Sequence, residues 1–195
     1  MSIHIDYYVH ETAVVDAGAT IGKGTRIWHF SHLMSSAVLG EGCNIGQNCF
    51  VGDKVVLGNN VKVQNNVSIY EGVTCADDVF VGPSVVFTNV INPRSAINRK
   101  EQYLQTRIGK GASIGANATI ICGNDIGAYA FIGAGAVVSK AVKAYALVVG
   151  NPAKQIGWIS AYGHRLVFDE DQLAVCTESK EQYSLINNEV IRIES

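Results

Sequence analysis

The chain has 195 residues and a formal net charge of −2, long enough for one domain with a real core, and its Lys and Arg gather into no stripe of the kind that binds nucleic acid. Gly numbers 20 against only 3 Pro, which points to many tight turns in an ordered array rather than a disordered linker. No apolar run approaches membrane-spanning length, residues 1–10 lack the apolar stretch of a secretory leader, and five cysteines at no zinc-like spacing predict reduced thiols in the cytoplasm.

From Val9 onward an aliphatic residue recurs every six positions, through Val15, Ile21, Ile27, Leu33, Leu39, Ile45, Val51, Leu57, Val63 and Ile69 to Cys75, Val81 and Phe87. Four places after it comes a small or β-branched residue, as at Thr25, Ser31, Ala37, Cys43, Cys49, Val55, Val61 and Val67. A helix needs apolar spacings of three and four, and a plain strand needs unbroken alternation. Three places after the aliphatic residue stand Gly18, Gly24, Gly42, Asn48, Asn60, Asn66, Gly72 and Asp78, then Gly111, Asn117, Gly123 and Gly135. These residue types adopt the left-handed backbone conformation most cheaply. The pattern predicts short strands joined by corners, three hexads to a triangular coil. About seven coils at about 4.8 Å each give a prism about 33 Å tall. Each coil hydrogen-bonds to the next, so only the ends need caps. Cys43, Cys49 and Cys75 fall in inward columns and read as small core residues, whereas Cys122 falls at a corner, where exposure is expected.

The register is lost over 88–107 and resumes, shifted, at Ile108, Ile114, Ile120, Ile126, Ile132 and Val138. This polar, basic break carries Arg94, Arg99, Lys100 and Arg107. It is the one long interruption, and long loops in compact domains are often functional. After Val138 the pattern frays. The β-helix domain is assigned to residues 1–157 and a capping tail of short strands to 158–195, with Cys176 the only cysteine there and hence no structural zinc.

Several segments carry a resemblance: Ile27–Phe30, Gln64–Tyr70, Gly82–Asn89, Asn92–Arg94, Gly115–Ile120, Tyr129–Val138 and Gly150–Ala153. Over nearly its full length the chain resembles the hexapeptide-repeat acyltransferases. Within them it is similar to the bacterial UDP-2-acetamido-3-amino-2,3-dideoxy-D-glucuronate N-acetyltransferases of O-antigen and lipopolysaccharide assembly. Gln64–Asn66, Pro83–Asn89 and Asn92–Arg94 also occur in enzymes that acetylate dTDP-3-amino-3,6-dideoxyhexoses, the competing substrate. The resemblance implies an all-β, left-handed parallel β-helix with an extruded loop and a C-terminal cap. It also implies a homotrimer with active sites between subunits, acetyl-CoA as co-substrate, a UDP-amino sugar as acceptor, and no metal. The hexad period itself carries no handedness.

Acetyl transfer to an amine needs a neutral amine, a held thioester and donors for the oxyanion. Many relatives place a histidine at the start of the loop; this chain has Asn89. An amino group beside electron-withdrawing ring substituents titrates near or below the α-amino range of about 7.7–8.0, so Asn89 would orient the amine without a protein base. The alternative for Asn89 is an ordinary corner residue. His29 and His32 are rival bases; His4, His10 and His164 look incidental. His29 shares a column with Gln47, Asn65 and Pro83, beside a column of Phe30, Asn48, Asn66 and Ser84. That edge reads equally as a nucleotide-sugar cleft or as a solvated amide ladder. Gln64, Asn65, Asn66 and Tyr70 are the candidates for the sugar nucleotide, with Arg94 and Arg99 for its diphosphate or carboxylate. Gly115, Ala116, Gly133 and Ala134, with Lys140, Asn151, Pro152 and Lys154, are the candidates for CoA; the fold also demands glycine at such corners. Two other classes stand beside this one. A γ-carbonic-anhydrase-like zinc lyase would need three histidines, for which His10, His29 and His32 supply the letters. A purely structural solenoid would need monotonous repeats.

Overall fold

The computed structural model describes residues 6–193. His4, and half of the segment read above for a leader, lie outside the described residues. The chain winds as a parallel β-solenoid with three faces. On the first face, Tyr8–Val9, Arg26–Ile27, Asn44–Ile45, Lys62–Val63 and Phe80–Val81 stack in order, continued by Ser113–Ile114, Phe131–Ile132 and Ala146–Val149. The second face runs from Val14–Val15 to Val137–Val138, and the third from Thr20–Ile21 to Thr106–Ile108. The pairing is eighteen residues apart, as in Arg26 with Asn44 and His32 with Phe50, which is three hexads to a coil.

The hexad explains this winding. Ile27, Ile45, Val63, Val81, Ile114 and Ile132 of the first face are fully buried, as are Leu33, Val51, Ile69, Phe87 and Ile120 of the second. Each such side chain contributes roughly 1.5–3 kcal/mol by leaving water. Buried Thr25 and Ser31 sit among them without an orphaned group: each hydroxyl donates to a carbonyl, of Gly40 at 2.8 Å and Gly46 at 2.7 Å, and accepts an N–H, from Cys43 and Cys49 at 3.0 Å. Every Gly, Asn and Asp of the corner column has positive φ, from Asn48 at 55° to Gly18 at 108°. The structure adds Phe30, Lys54, Ser84, Tyr129 and Tyr145 to that column, residues whose types do not advertise a left-handed corner.

Across the break the pairing offset rises from 18 to 33: Thr74 lies beside Arg107 and Phe80 beside Ser113. Fifteen residues are therefore inserted. The expected loop of 88–107 is too long at its far end, because Thr106–Ile108 is a strand paired with Val73–Cys75. The loop itself holds one 3-10 turn, Lys100–Gln102. Cys122 is buried rather than exposed, since it lies under the neck of this loop.

The first face has eight parallel strands, one more than the sequence count of about seven coils. Past Ile132 the offset falls to sixteen, Phe131 lying beside Leu147, which a six-residue count does not register. The strand Lys154–Ile159 then turns back antiparallel on Ala146–Val149 and takes up Arg165–Leu166, running across the 157/158 boundary assigned from the sequence. A separate antiparallel sheet of Leu173–Val175, Gln182–Ile186 and Glu189–Ile193 covers the end. Its buried Tyr183 meets Tyr145 edge to face, and its hydroxyl accepts the Ala161 N–H at 3.0 Å. No helix of the described residues is long and apolar enough to cross a membrane.

Candidate active site

Stacking by coils carries the candidate residues onto the two edges of the second face. The edge shared with the first face holds Trp28, Gly46, Gln64, Gly82, Gly115 and Gly133 in one column, given the offsets of 18 and 33. Beside it run His29, Gln47, Asn65, Pro83, Ala116 and Ala134. The sugar-nucleotide candidates Gln64–Asn66 and the CoA candidates Gly115–Ala116 and Gly133–Ala134 thus share one edge, a few coils of about 4.8 Å apart.

At the lower end of this edge is a cleft of about 310 Å³ lined by Trp28, His29, Asn44, Gln47, Gln64 and Asn65. Trp28 donates its indole N–H to Asn44 Oδ1 at 2.9 Å. His29 stacks on His10 with ring centroids 3.5 Å apart. Part of the edge is the amide ladder considered above: Asn65 Oδ1 accepts the Gln47 N–H at 3.0 Å, and Asn66 Oδ1 accepts from Asn48 Nδ2 at 2.9 Å. Trp28 and Asn44 were not singled out in the sequence as binding residues, whereas Gln47 was already placed on this edge in the column of His29. The signal of the first two was positional, Trp28 being next to His29 and Asn44 eighteen residues before Lys62 on the first face, rather than chemical.

Higher on the same edge, glycine is required by stacking. A Cβ at Gly115 would stand 2.5 Å from the Ala134 nitrogen, and one at Gly133 2.7 Å from Val149 Cγ1. Those two glycines therefore face the next coil, and Ala134 is the exposed member of the set. Asn151 and Pro152, joined by a cis peptide bond, cap this edge: Val137 N donates to Gly150 O at 3.0 Å and Ala153 N to Val137 O at 2.9 Å. Lys154 follows, exposed. Lys140 is not with them; it lies on the other edge of the second face.

That other edge carries Tyr70 and the loop. Tyr70 is half-exposed and packs on Phe50, which meets His32 edge-on. His32 is tied to Asp16 at 3.2 Å, so it and the His10–His29 pair are held on separate edges. Glu71, next to Tyr70, is paired with Lys54 at 2.7 Å. Asn89 opens the loop, half-buried, its backbone carbonyl accepting Leu104 N–H at 2.9 Å. Within the loop, exposed Arg94 donates to Pro93 O at 3.1 Å. Arg99 donates from Nη1 to Gln102 at 2.9 Å, while its Nε is buried with no partner among the described residues. A buried N–H of this kind calls for an acceptor.

Among the described residues no group of three His, Cys, Asp or Glu is placed to hold a metal. A larger hollow of about 1060 Å³ lies at the corner between the third and first faces, by Tyr129, Tyr145 and Arg192. There the tyrosines stack on each other at 5.2 Å and Arg192 is paired with Glu181, so its groups hold the tail against the solenoid.

The family model described as GMPPB C-terminal domain matches residues 1–105, and the hexapeptide repeat of succinyl-transferase matches residues 105–140. The chain is 46% identical over 169 residues to dTDP-3-amino-3,6-dideoxy-α-D-galactopyranose 3-N-acetyltransferase of Aneurinibacillus thermoaerophilus, covering 87% of this chain and 86% of the relative. A hexapeptide-repeat-containing acetyltransferase of Vibrio cholerae, solved with acetyl coenzyme A, is 25% identical with a TM-score of 0.50, over 60% of this chain and 70% of that one. The acetyltransferase domain of PglB from Neisseria gonorrhoeae is 23% identical with a TM-score of 0.49 over 76% of this chain. The match spans 56% of that protein's length.

Proposed function

The chain belongs to the hexapeptide-repeat, left-handed β-helix acyltransferases, and from that premise we propose that it transfers acetyl from acetyl-CoA to the 3-amino group of a dTDP-linked 3-amino-3,6-dideoxyhexose. It is an acetyl-CoA-dependent N-acetyltransferase. The observation that carries the sugar assignment is the 46% identity over 87% of the chain to a dTDP-3-amino-sugar 3-N-acetyltransferase. It favours the dTDP-linked amino sugar, the competing substrate of the sequence reading, over UDP-2-acetamido-3-amino-2,3-dideoxy-D-glucuronate. The UDP-linked reading drew on the same segments, Gln64–Asn66 and Pro83–Asn89, which the two substrate groups share.

The acceptor's base and sugar lie along the edge of Trp28, Gln47, Gln64, Asn65 and Asn66 of one protomer, and the loop-bearing edge of a neighbouring protomer in the trimer brings Asn89 and Arg99 to the same cleft, Arg99 offering its unengaged buried N–H to the diphosphate. Acetyl-CoA extends along the same prism past Ala116 and Ala134 to Asn151, Pro152 and Lys154. The amine nitrogen attacks the thioester carbonyl carbon, the carbon–sulfur bond breaks, and the amine proton passes to the departing sulfur. Asn89 accepts a hydrogen bond from the amine and orients its lone pair. No protein base is required, because a sizeable fraction of such an amine is neutral near pH 7.5. The functional unit is a homotrimer, and its product enters surface-polysaccharide assembly.

The test is a thiol-release assay with acetyl-CoA against a panel of dTDP- and UDP-linked 3-amino sugars. A dTDP-3-amino-3,6-dideoxyhexose is expected to give kcat/KM at least about tenfold above UDP-2-acetamido-3-amino-2,3-dideoxy-D-glucuronate, a difference of about 1.4 kcal/mol in transition-state binding. The reverse order would restore the UDP reading, and thiol release with none of the amino sugars would sink both.

A further inference from the structure

We infer that Thr88 and Thr106 are positioning residues for Asn89, their hydroxyls pinning the two ends of the inserted loop to consecutive N–H groups of the next coil. The inference rests on the amine-orienting role proposed for Asn89.

Two edges of the prism carry no loop. There the residue in the left-handed conformation donates its N–H to a carbonyl of the preceding coil: Asn48 to His29 at 2.8 Å, Asn66 to Gln47 and Ser84 to Asn65 at 2.9 Å, whereas on the loop's own edge Lys54 N donates to the Ser36 hydroxyl at 2.9 Å. The bond survives the lengthened offset, with Gly111 N donating to Asp77 O at 3.0 Å and Asn117 N to Pro83 O at 2.9 Å. The same spacing at the loop's own corner would put Gly123 N on Asn89 O.

The structure does otherwise. Asn89 O accepts Leu104 N–H at 2.9 Å, which closes the neck of the loop. Gly123 N donates instead to Thr106 Oγ1 at 3.1 Å, and its neighbour Cys122 N donates to Thr88 Oγ1 at 3.0 Å. Leu104 is wedged between coils: a Cβ added at Gly72 would stand 2.7 Å from its carbonyl oxygen, and one at Gly123 would stand 3.1 Å from its Cδ1. Asn89 is thus bracketed. Its own carbonyl is held by Leu104, the residue before it is held by Cys122, and the returning strand is held by Gly123 through buried Thr106. The two hydroxyls stand where the repeat supplied no backbone acceptor, and they set the height of the Asn89 amide relative to the coil above.

A hydroxyl that only satisfied a buried N–H would affect stability alike whether or not Asn89 was present. A positioning role predicts coupling to Asn89. The full-length enzyme is therefore compared as Thr88→Val, Thr88→Ser, Asn89→Ala and the Thr88→Val/Asn89→Ala double variant, with kcat, both KM values and Tm measured for each. Thr88→Val is expected to lower kcat roughly tenfold or more, since small misplacements at a reacting centre are that costly. Both KM values should stay within about twofold. Thr88→Ser, which keeps the acceptor, should restore kcat, and Thr88→Val should cost nothing further once Asn89 is alanine. An equal loss in both backgrounds, or unchanged kcat in Thr88→Val, overturns the inference. If Thr88→Val does not fold, Thr106→Val and Thr88→Ala enter the cycle under the same criteria. Wild-type turnover by Asn89→Ala removes the role of Asn89 itself. A damaged Asn89→Ala beside an undamaged Thr88→Val removes only this inference.

Discussion

At the scale of single residues, the interior of the prism decides the chemistry of its cysteines. Burial pushes the Cys75 thiol up to about 12, and burial also raises Cys43 and Cys49 against weaker opposing hydrogen bonds. A thiol protonated at neutral pH is a poor nucleophile. Alkylation of the native protein with iodoacetamide at pH 8, read by mass spectrometry, should leave Cys43, Cys49 and Cys75 unmodified until denaturant is added. Modification of any of them at the rate of a free thiol would contradict the inward placement. These three were legible in the sequence because they occupy inward columns of an unbroken repeat. Cys122 was not, because it sits in a corner column, and only the loop folded over that corner buries it. Lys54, Tyr129 and Tyr145 were missed as left-handed corners for the complementary reason: the column imposes the conformation even where the side chain does not favour it.

At the scale of elements, the loop is an insertion into an otherwise continuous ladder. The rise of the offset from 18 to 33 means that removing residues 90–104 would rejoin Asn89 to Gln105 and place Ile108 six positions after Phe87. Gln105 would then occupy the corner position that Gly72 holds one coil earlier at φ 101°, so the excision is best made with Gln105→Gly. The shortened protein is expected to keep its β-rich circular dichroism and a Tm within roughly 5 °C of the parent, since closing a shorter loop costs little entropy, while N-acetyltransferase activity is lost with Arg94, Arg99 and the neck. A shortened protein that fails to fold would mean that the loop is part of the solenoid rather than an insertion. The position of the break was readable from the hexad count to within two residues at its far end. The arrangement of its hydrogen bonds was not, because Thr106 shares the inward column of Thr25 and Ser31 without showing which N–H it would accept, and Thr88 and Leu104 meet it only through the next coil.

At the scale of the whole molecule, one prism presents outward rows that are not fully polar. Val38 and Val56 stand beside each other on the third face, and Val14 and Val86 on the second, all between 38% and 55% exposed. A proposed homotrimer would cover such rows, and the relevant measurement is light scattering coupled to size exclusion. Three times the 20.9 kDa of one chain is the expected mass; a monomer at micromolar concentration and full activity would overturn the between-subunit site. The number of coils belongs to this scale as well. Six-residue counting stops where the offset contracts to sixteen, so the eighth strand of the first face and the antiparallel strands that follow it emerge only from pairing.

What this amino-acid sequence determined by itself is the repeat: inward aliphatics every six residues and corner Gly, Asn and Asp between them leave one way to bury the first and turn on the second. Local periodicity suffices there because each hexad's partners lie at a constant distance along the chain. What tertiary structure decided is which letters meet. The alignment of Gln64, Asn65, Ala116 and Ala134 on one edge, the separation of Lys140 from them, and the bracketing of Asn89 by Thr88, Leu104 and Thr106 all depend on how the coils stack after the insertion. That stacking is settled by packing and hydrogen bonding between coils, and no single stretch of sequence contains it.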